Sequence, residues 1–101
     1  MRINDKTDLC SLIHDKKIAL HSLGVRRLGV FGSFATGTPH DHSDVDLLVE
    51  FAPGMKSFDN FMGLANLIED GSGREADIVT LEGLSPYIGP HILKEVEFIA
   101  F

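Results

Sequence analysis

One cysteine, Cys10, is all that the 101-residue chain contains, so no internal disulfide can form. Cys10 falls in an amphipathic pattern as a small core residue, which suits a reducing cytoplasm. Basic residues are also scarce: nine Lys and Arg stand against fifteen Asp and Glu, a formal net charge of −6. A groove built for nucleic acid leaves a basic footprint, so direct nucleic-acid binding is not expected. A small anionic ligand bridged by divalent metal remains compatible, because carboxylates are useful there. No stretch approaches the roughly 20 apolar residues of a membrane span, and the opening MRINDKTDLC has no apolar run like that of a signal peptide. The expectation is a cytoplasmic chain with no membrane association. Repeats, low-complexity tracts and linkers are missing too, so residues 1–101 are read as one domain. A hydrophobic share of 44% with 24% charged residues excludes disorder along the whole chain.

What is present is periodic. Over residues 8–22, Leu9, Leu12, Ile13, Ala19 and Leu20, with Leu23 beyond, recur at helical spacing, with Thr7 as N-cap and Gly24 as C-cap. Residues 25–31 read as a strand ending at Gly32-Ser33, a short helix opens at Ser33, and residues 36–43 are loop. A second strand spans residues 44–51 and stops at Pro53-Gly54. Ser57 caps a helix to about residue 70, with Phe58, Phe61, Ala65 and Ile68 inward and Gly71 closing it. Residues 75–81 form a third strand, and after a turn a helix covers about 90–96, with helix end or a short edge strand over 98–101. This order predicts an α/β (α+β) fold: a small mixed β-sheet with helices packed on it.

The second strand poses a problem. Val45, Leu47, Val49 and Phe51 turn one way, into the core, while Asp44 and Asp46 share the other face at its entrance. At a rise of roughly 3.3 Å per residue the two lie about 6 to 7 Å apart along the strand. Ionised carboxylates about 5 Å apart repel by roughly 3 kcal/mol at an effective dielectric near 20. Folding does not ask for that repulsion, but a divalent cation between them reverses its sign, and Mg²⁺ prefers such oxygens while keeping positions open for substrate phosphates. Gly32-Ser33 supplies the complement. A strand ending in glycine and opening a helix exposes backbone N–H groups to a phosphate, and Ser33 adds a hydroxyl. If the third strand lies beside the second, Asp77 completes a three-acid cluster able to hold two metal ions roughly 3.5 to 4 Å apart.

Gly32-Ser33, ten residues, Asp44-x-Asp46, and a strand-borne Asp77 together resemble the nucleotidyltransferase superfamily with the DNA polymerase β type of palm. The wording GSFATG…SDVDLLVEF is similar to the minimal nucleotidyltransferases, often antitoxin partners of HEPN-domain RNase toxins. The resemblance runs over essentially the whole chain and implies a polymerase β-like nucleotidyltransferase fold. It implies that Asp44 and Asp46 bind two Mg²⁺ ions, that Asp77 binds the catalytic one and helps deprotonate the acceptor, and that Gly32 and Ser33 hold the β- and γ-phosphates of ATP. AMP would pass to a hydroxyl, for the antitoxin branch a tyrosine of a HEPN-type toxin. The pattern departs at Thr36, where many relatives carry Arg, and loss of that cation bears on the transfer rate.

Two other functions stay open. A binding protein could neutralise its partner by occupying a surface, a reading that Thr36 and the short C-terminus motivate. An enzyme modifying a small hydroxylated molecule such as an aminoglycoside would need an acceptor pocket that 101 residues do not evidently supply. A homo- or hetero-oligomeric state is compatible with the sequence. Other residues carry plainer expectations. His40 and His42 could bind a transition metal but read as a solvated loop. Arg26, Arg27, Lys56, Arg74 and Lys94 read as surface charge, and Phe58, Phe61 and Phe98 as core or interface.

Overall fold

The computed structural model describes residues 2–101. Two helices, α1 (Lys6–Asp15) and α2 (Lys17–Ser22), lead into strand β1 (Val25–Phe31) and the single turn α3 (Ser33–Thr36). Strand β2 (Val45–Phe51), helix α4 (Phe58–Ser72) and strand β3 (Ala76–Thr80) follow. A 3-10 turn (Leu81–Gly83), helix α5 (Gly89–Glu95) and the short strand β4 (Glu97–Phe98) complete the order. The sheet order is β3-β2-β1-β4, with β2 and β3 parallel and the other two pairs antiparallel. The expected mixed sheet with helices packed on it is therefore what forms.

Four local expectations are corrected. The first helical segment divides at Lys16, because α1 packs against α4 whereas α2 packs against β1. Its N-cap is Asp5, whose side chain accepts the Asp8 amide at 2.8 Å, and not Thr7. Helix α4 runs past Gly71 and closes on Gly73, whose φ of 70° is open to glycine without strain. Gly71 instead lies inside the helix against Leu12, where a side chain would collide. The inward face of α4 is set by Leu64 and Ile68, while Phe58 is 78% exposed and so belongs to no core.

The main core lies on one face of the sheet. Val45, Leu47, Val49 and Phe51 of β2 meet Leu28 and Val30 of β1, with Leu9, Ile13, Leu20, Leu64 and Ile68 covering them from the helices. The period-two alternation of β2 therefore places Asp46 on the opposite face. On that second face Leu48 is buried too, and Val96 and the neighbouring strand's Phe98 take up the space beside Gly29.

Arg74 departs most from expectation. Only 6% exposed, it is an internal tie and not a solvated charge. Its Nε donates to the Ile3 carbonyl at 2.9 Å, and its Nη1 donates to the carbonyls of His40 at 2.8 Å and Ser43 at 2.9 Å. The guanidinium also lies 5.1 Å from the centre of the Phe34 ring. One side chain thus joins the N-terminal segment, α3 and the loop before β2 to the start of β3. A lysine cannot reproduce the planar fork. Arg74→Lys is expected to lower stability by about 2 kcal/mol or more and the thermal midpoint by roughly 10 °C, measurable by calorimetry.

Candidate active site

Strand pairing settles where the acids go. In the parallel register of β2 and β3, Asp46 stands directly opposite Asp77, so the two side chains share a face. Asp44 lies on the loop just ahead of β2, where the Arg74 hydrogen bonds to His40 and Ser43 fix the approaching chain. The amide of Val45 in turn donates to the Glu75 carbonyl at 2.9 Å, extending the pairing to the residue beside Asp44. Asp46 is half-buried, and Asp44 and Asp77 are exposed.

Gly32 closes the arrangement. It ends β1, and Phe31 before it pairs with Asp46. Its φ of 71° is a conformation that L side chains rarely adopt, and a Cβ there would run into the Asp46 carboxylate. The glycine is therefore what lets the strand end lie against the acid. Ser33 opens α3, whose single turn is held by the Ala35 and Thr36 amides donating to the Gly32 carbonyl at 3.1 Å each. The Thr36 hydroxyl contacts the Gly32 carbonyl at 3.2 Å and the Thr38 hydroxyl at 3.0 Å, so it serves the turn itself.

One neighbour of the acids was not expected. The carboxylate of Glu95, at the end of α5, accepts a hydrogen bond from the Gly32 amide. Nothing local to residue 95 signals this, because its partner lies 63 positions away.

Electrostatics reflect the crowding. The carboxyl of Asp46 is pushed up to about 6 from an ordinary 3.8, by burial first and then by the carboxylates of Asp77, Asp44 and Glu95. The donor set suits Mg²⁺ chemically: hard carboxylate oxygens with unneutralised charge beside an N–H that can face a phosphate. As the side chains stand, no group of three His, Cys, Asp or Glu among the described residues closes to metal-holding distance. That includes His40 and His42, where the His42 amide donates to His40 Nδ1 at 3.1 Å within an exposed loop.

Comparison with known proteins gives consistent matches. The family described as nucleotidyltransferase domain matches residues 13–99. The protein adenylyltransferase MntA of Thermococcus cleftensis is 36% identical over 84 residues, 83% of this chain and 84% of that protein. A Methanocaldococcus jannaschii protein assigned as a protein adenylyltransferase is 38% identical over 72 residues, 71% of this chain and 76% of its own length. A solved structure assigned as a minimal nucleotidyltransferase superposes with a TM-score of 0.80 at 31% identity, covering 93% of this chain and 95% of that one. A toxin–antitoxin crystal structure with AMP-PNP shares the fold, with a TM-score of 0.66 at 20% identity over 94% of this chain and 72% of that one.

Gly32→Ala is expected to displace Asp46 and to lose nucleotide binding by calorimetry, while the far-UV circular dichroism stays that of a folded chain. Asp46 also makes stability depend on pH. Its folded pKa lies above its unfolded value, so the folded state holds the proton more tightly. The penalty of the charged form is absent below about pH 4, grows up to about pH 6 and is complete above it. Asp46→Asn in the presence of chelator should therefore raise the thermal midpoint by several degrees at pH 8, for about 1 kcal/mol once solvent screening is allowed for. The gain should vanish as the pH falls to about 4.

Proposed function

The chain belongs to the nucleotidyltransferase domain family, and from that membership we propose that it moves AMP from ATP to a hydroxyl of a partner protein, as the antitoxin of a toxin–antitoxin pair. The observation that carries this reading is the register that sets Asp46 opposite Asp77 while Gly32 lies against Asp46. Two acids and the Gly32 backbone then lie together. The adenylyltransferase relatives and the fold shared with a toxin–antitoxin structure bound to AMP-PNP support the choice of ATP and of a protein acceptor. We further propose that the acceptor is a tyrosine of a HEPN-type toxin.

In this reading the Gly32 amide and the Ser33 amide and hydroxyl bind the β- and γ-phosphates. Asp44, Asp46 and Asp77 would hold two Mg²⁺ ions. The bound ions would neutralise triphosphate charge and draw electron density from the α-phosphorus. Asp77 takes the proton of the attacking hydroxyl. The new bond joins that oxygen to the α-phosphorus, the bond from the α-phosphorus to the β-bridging oxygen breaks, and pyrophosphate leaves with the electron pair. Gly32 fixes the phosphate chain so that the α-phosphorus faces the acids, which is a positioning effect.

To test this, the chain is incubated with α-labelled ATP, Mg²⁺ and a co-encoded toxin. The toxin should gain one AMP per modified tyrosine by mass spectrometry. Asp44→Asn and Asp46→Asn should each reduce transfer by about two orders of magnitude or more. Equal labelling by Asp44→Asn would refute the assignment. Toxin neutralisation that survives loss of Asp44, Asp46 and Asp77 together would favour a binding antitoxin instead.

A further inference from the structure

Glu95 has no role in the reaction just described, yet it occupies the Gly32 N–H that this reading assigns to the phosphates. It is exposed, it ends α5, and its carboxylate accepts the Gly32 amide. We propose that Glu95 is an internal occupant of the nucleotide site: it holds the Gly32 amide in the nucleotide-free protein and must swing away before the triphosphate can take that donor. The inference rests on the reading above, in which Gly32 binds the phosphates.

Chemistry makes the two ligands rivals. A carboxylate and a phosphate both offer an anionic oxygen to an N–H, and one amide hydrogen serves one strong acceptor at a time. The chain places the rival deliberately near. Strand β4 pairs Gly29 with Phe98 and Val30 with Glu97 in antiparallel register. Continuing that register by two residues brings Glu95 opposite Gly32, and Val96 is seated over Gly29. The backbone at Glu95 is therefore anchored while its exposed side chain is free to rotate.

Charge supports displacement. None of the ion pairs among the described residues involves Glu95. Instead it faces Asp46, on whose carboxyl it exerts part of the upward push. Repulsion from the other acids opposes the closed position, and the Gly32 amide retains it. An incoming triphosphate, with its metal ions, replaces both functions of the contact: it fills the donor and removes the uncompensated field.

Wild type, Glu95→Gln and Glu95→Ala are titrated with ATP in Mg²⁺ by calorimetry. Both variants are expected to bind about tenfold tighter, because the competing charge-assisted bond is gone. In the transfer assay KM for ATP should fall with kcat unchanged. The Gly32 amide proton, shifted downfield by the carboxylate in wild type, should move upfield in both variants, and all three proteins should converge at nucleotide saturation. Equal affinities with an unmoved Gly32 resonance overturn this proposal and leave the adenylyl-transfer reading intact. Loss of kcat at constant KM also overturns it, assigning Glu95 to the chemistry. Failure of all three proteins to take up ATP overturns both.

Discussion

A buried guanidinium carries more of this architecture than any other polar group. Arg74 reaches three backbone carbonyls from two separate stretches of chain and faces the ring of Phe34. All of those contacts except the one to Ile3 lie next to a piece of the site. The His40 and Ser43 carbonyls lead into Asp44, Phe34 belongs to the turn that Ser33 opens, and Arg74 itself stands three residues before Asp77. Carbonyl dipoles compensate the burial of the charge, which is why it sits inside without a carboxylate partner at bonding distance. Among the described residues no buried side-chain polar atom lacks a hydrogen-bond partner, so this polar junction is satisfied as well as enclosed.

Against that tie works a concentration of like charge. Asp44, Asp46, Asp77 and Glu95 gather on the side away from the main core, and burial first, then the neighbouring carboxylates, raises the proton affinity of Asp46. A fold optimised only for stability would disperse these groups. Instead the glycine at position 32 removes the one side chain that would separate β1 from Asp46. Strand pairing and the Arg74 junction supply the stabilisation that holds the acids together, and the same crowding leaves a negative charge that a cation would relieve.

Much of this was legible because it is local. The alternation of Val45, Leu47, Val49 and Phe51 fixed the face on which Asp46 emerges, and Gly32-Ser33 marked the strand-to-turn junction. The expectation that Asp77 joins Asp46 needed one assumption, that β3 lies beside β2, and the register supports it. What escaped depends on distant partners. Arg74 looks like any solvated arginine until the carbonyls of Ile3, His40 and Ser43 are brought around it, and Glu95 looks like a helix-end charge until β4 pairs with β1. The break at Lys16 has no local breaker residue either; it follows from α1 and α2 docking on different elements. Choosing Gly71 over Gly73 as the end of α4 failed because both are glycines, and only the packing of Leu12 tells them apart.

The parallel alignment of β2 with β3 has a temporal side. Parallel neighbours cannot be joined by a tight turn, so α4 and its flanking segments must be spanned before the two strands can zip. Closing such a span loses chain entropy that no neighbouring contact offsets at that moment, unlike the antiparallel zipping of β1 with β2. The acid pair is thus a late product of folding. A chain caught midway, or newly emerging with its last third still absent, holds Asp44 and Asp46 without Asp77, so the proposed centre cannot assemble in it.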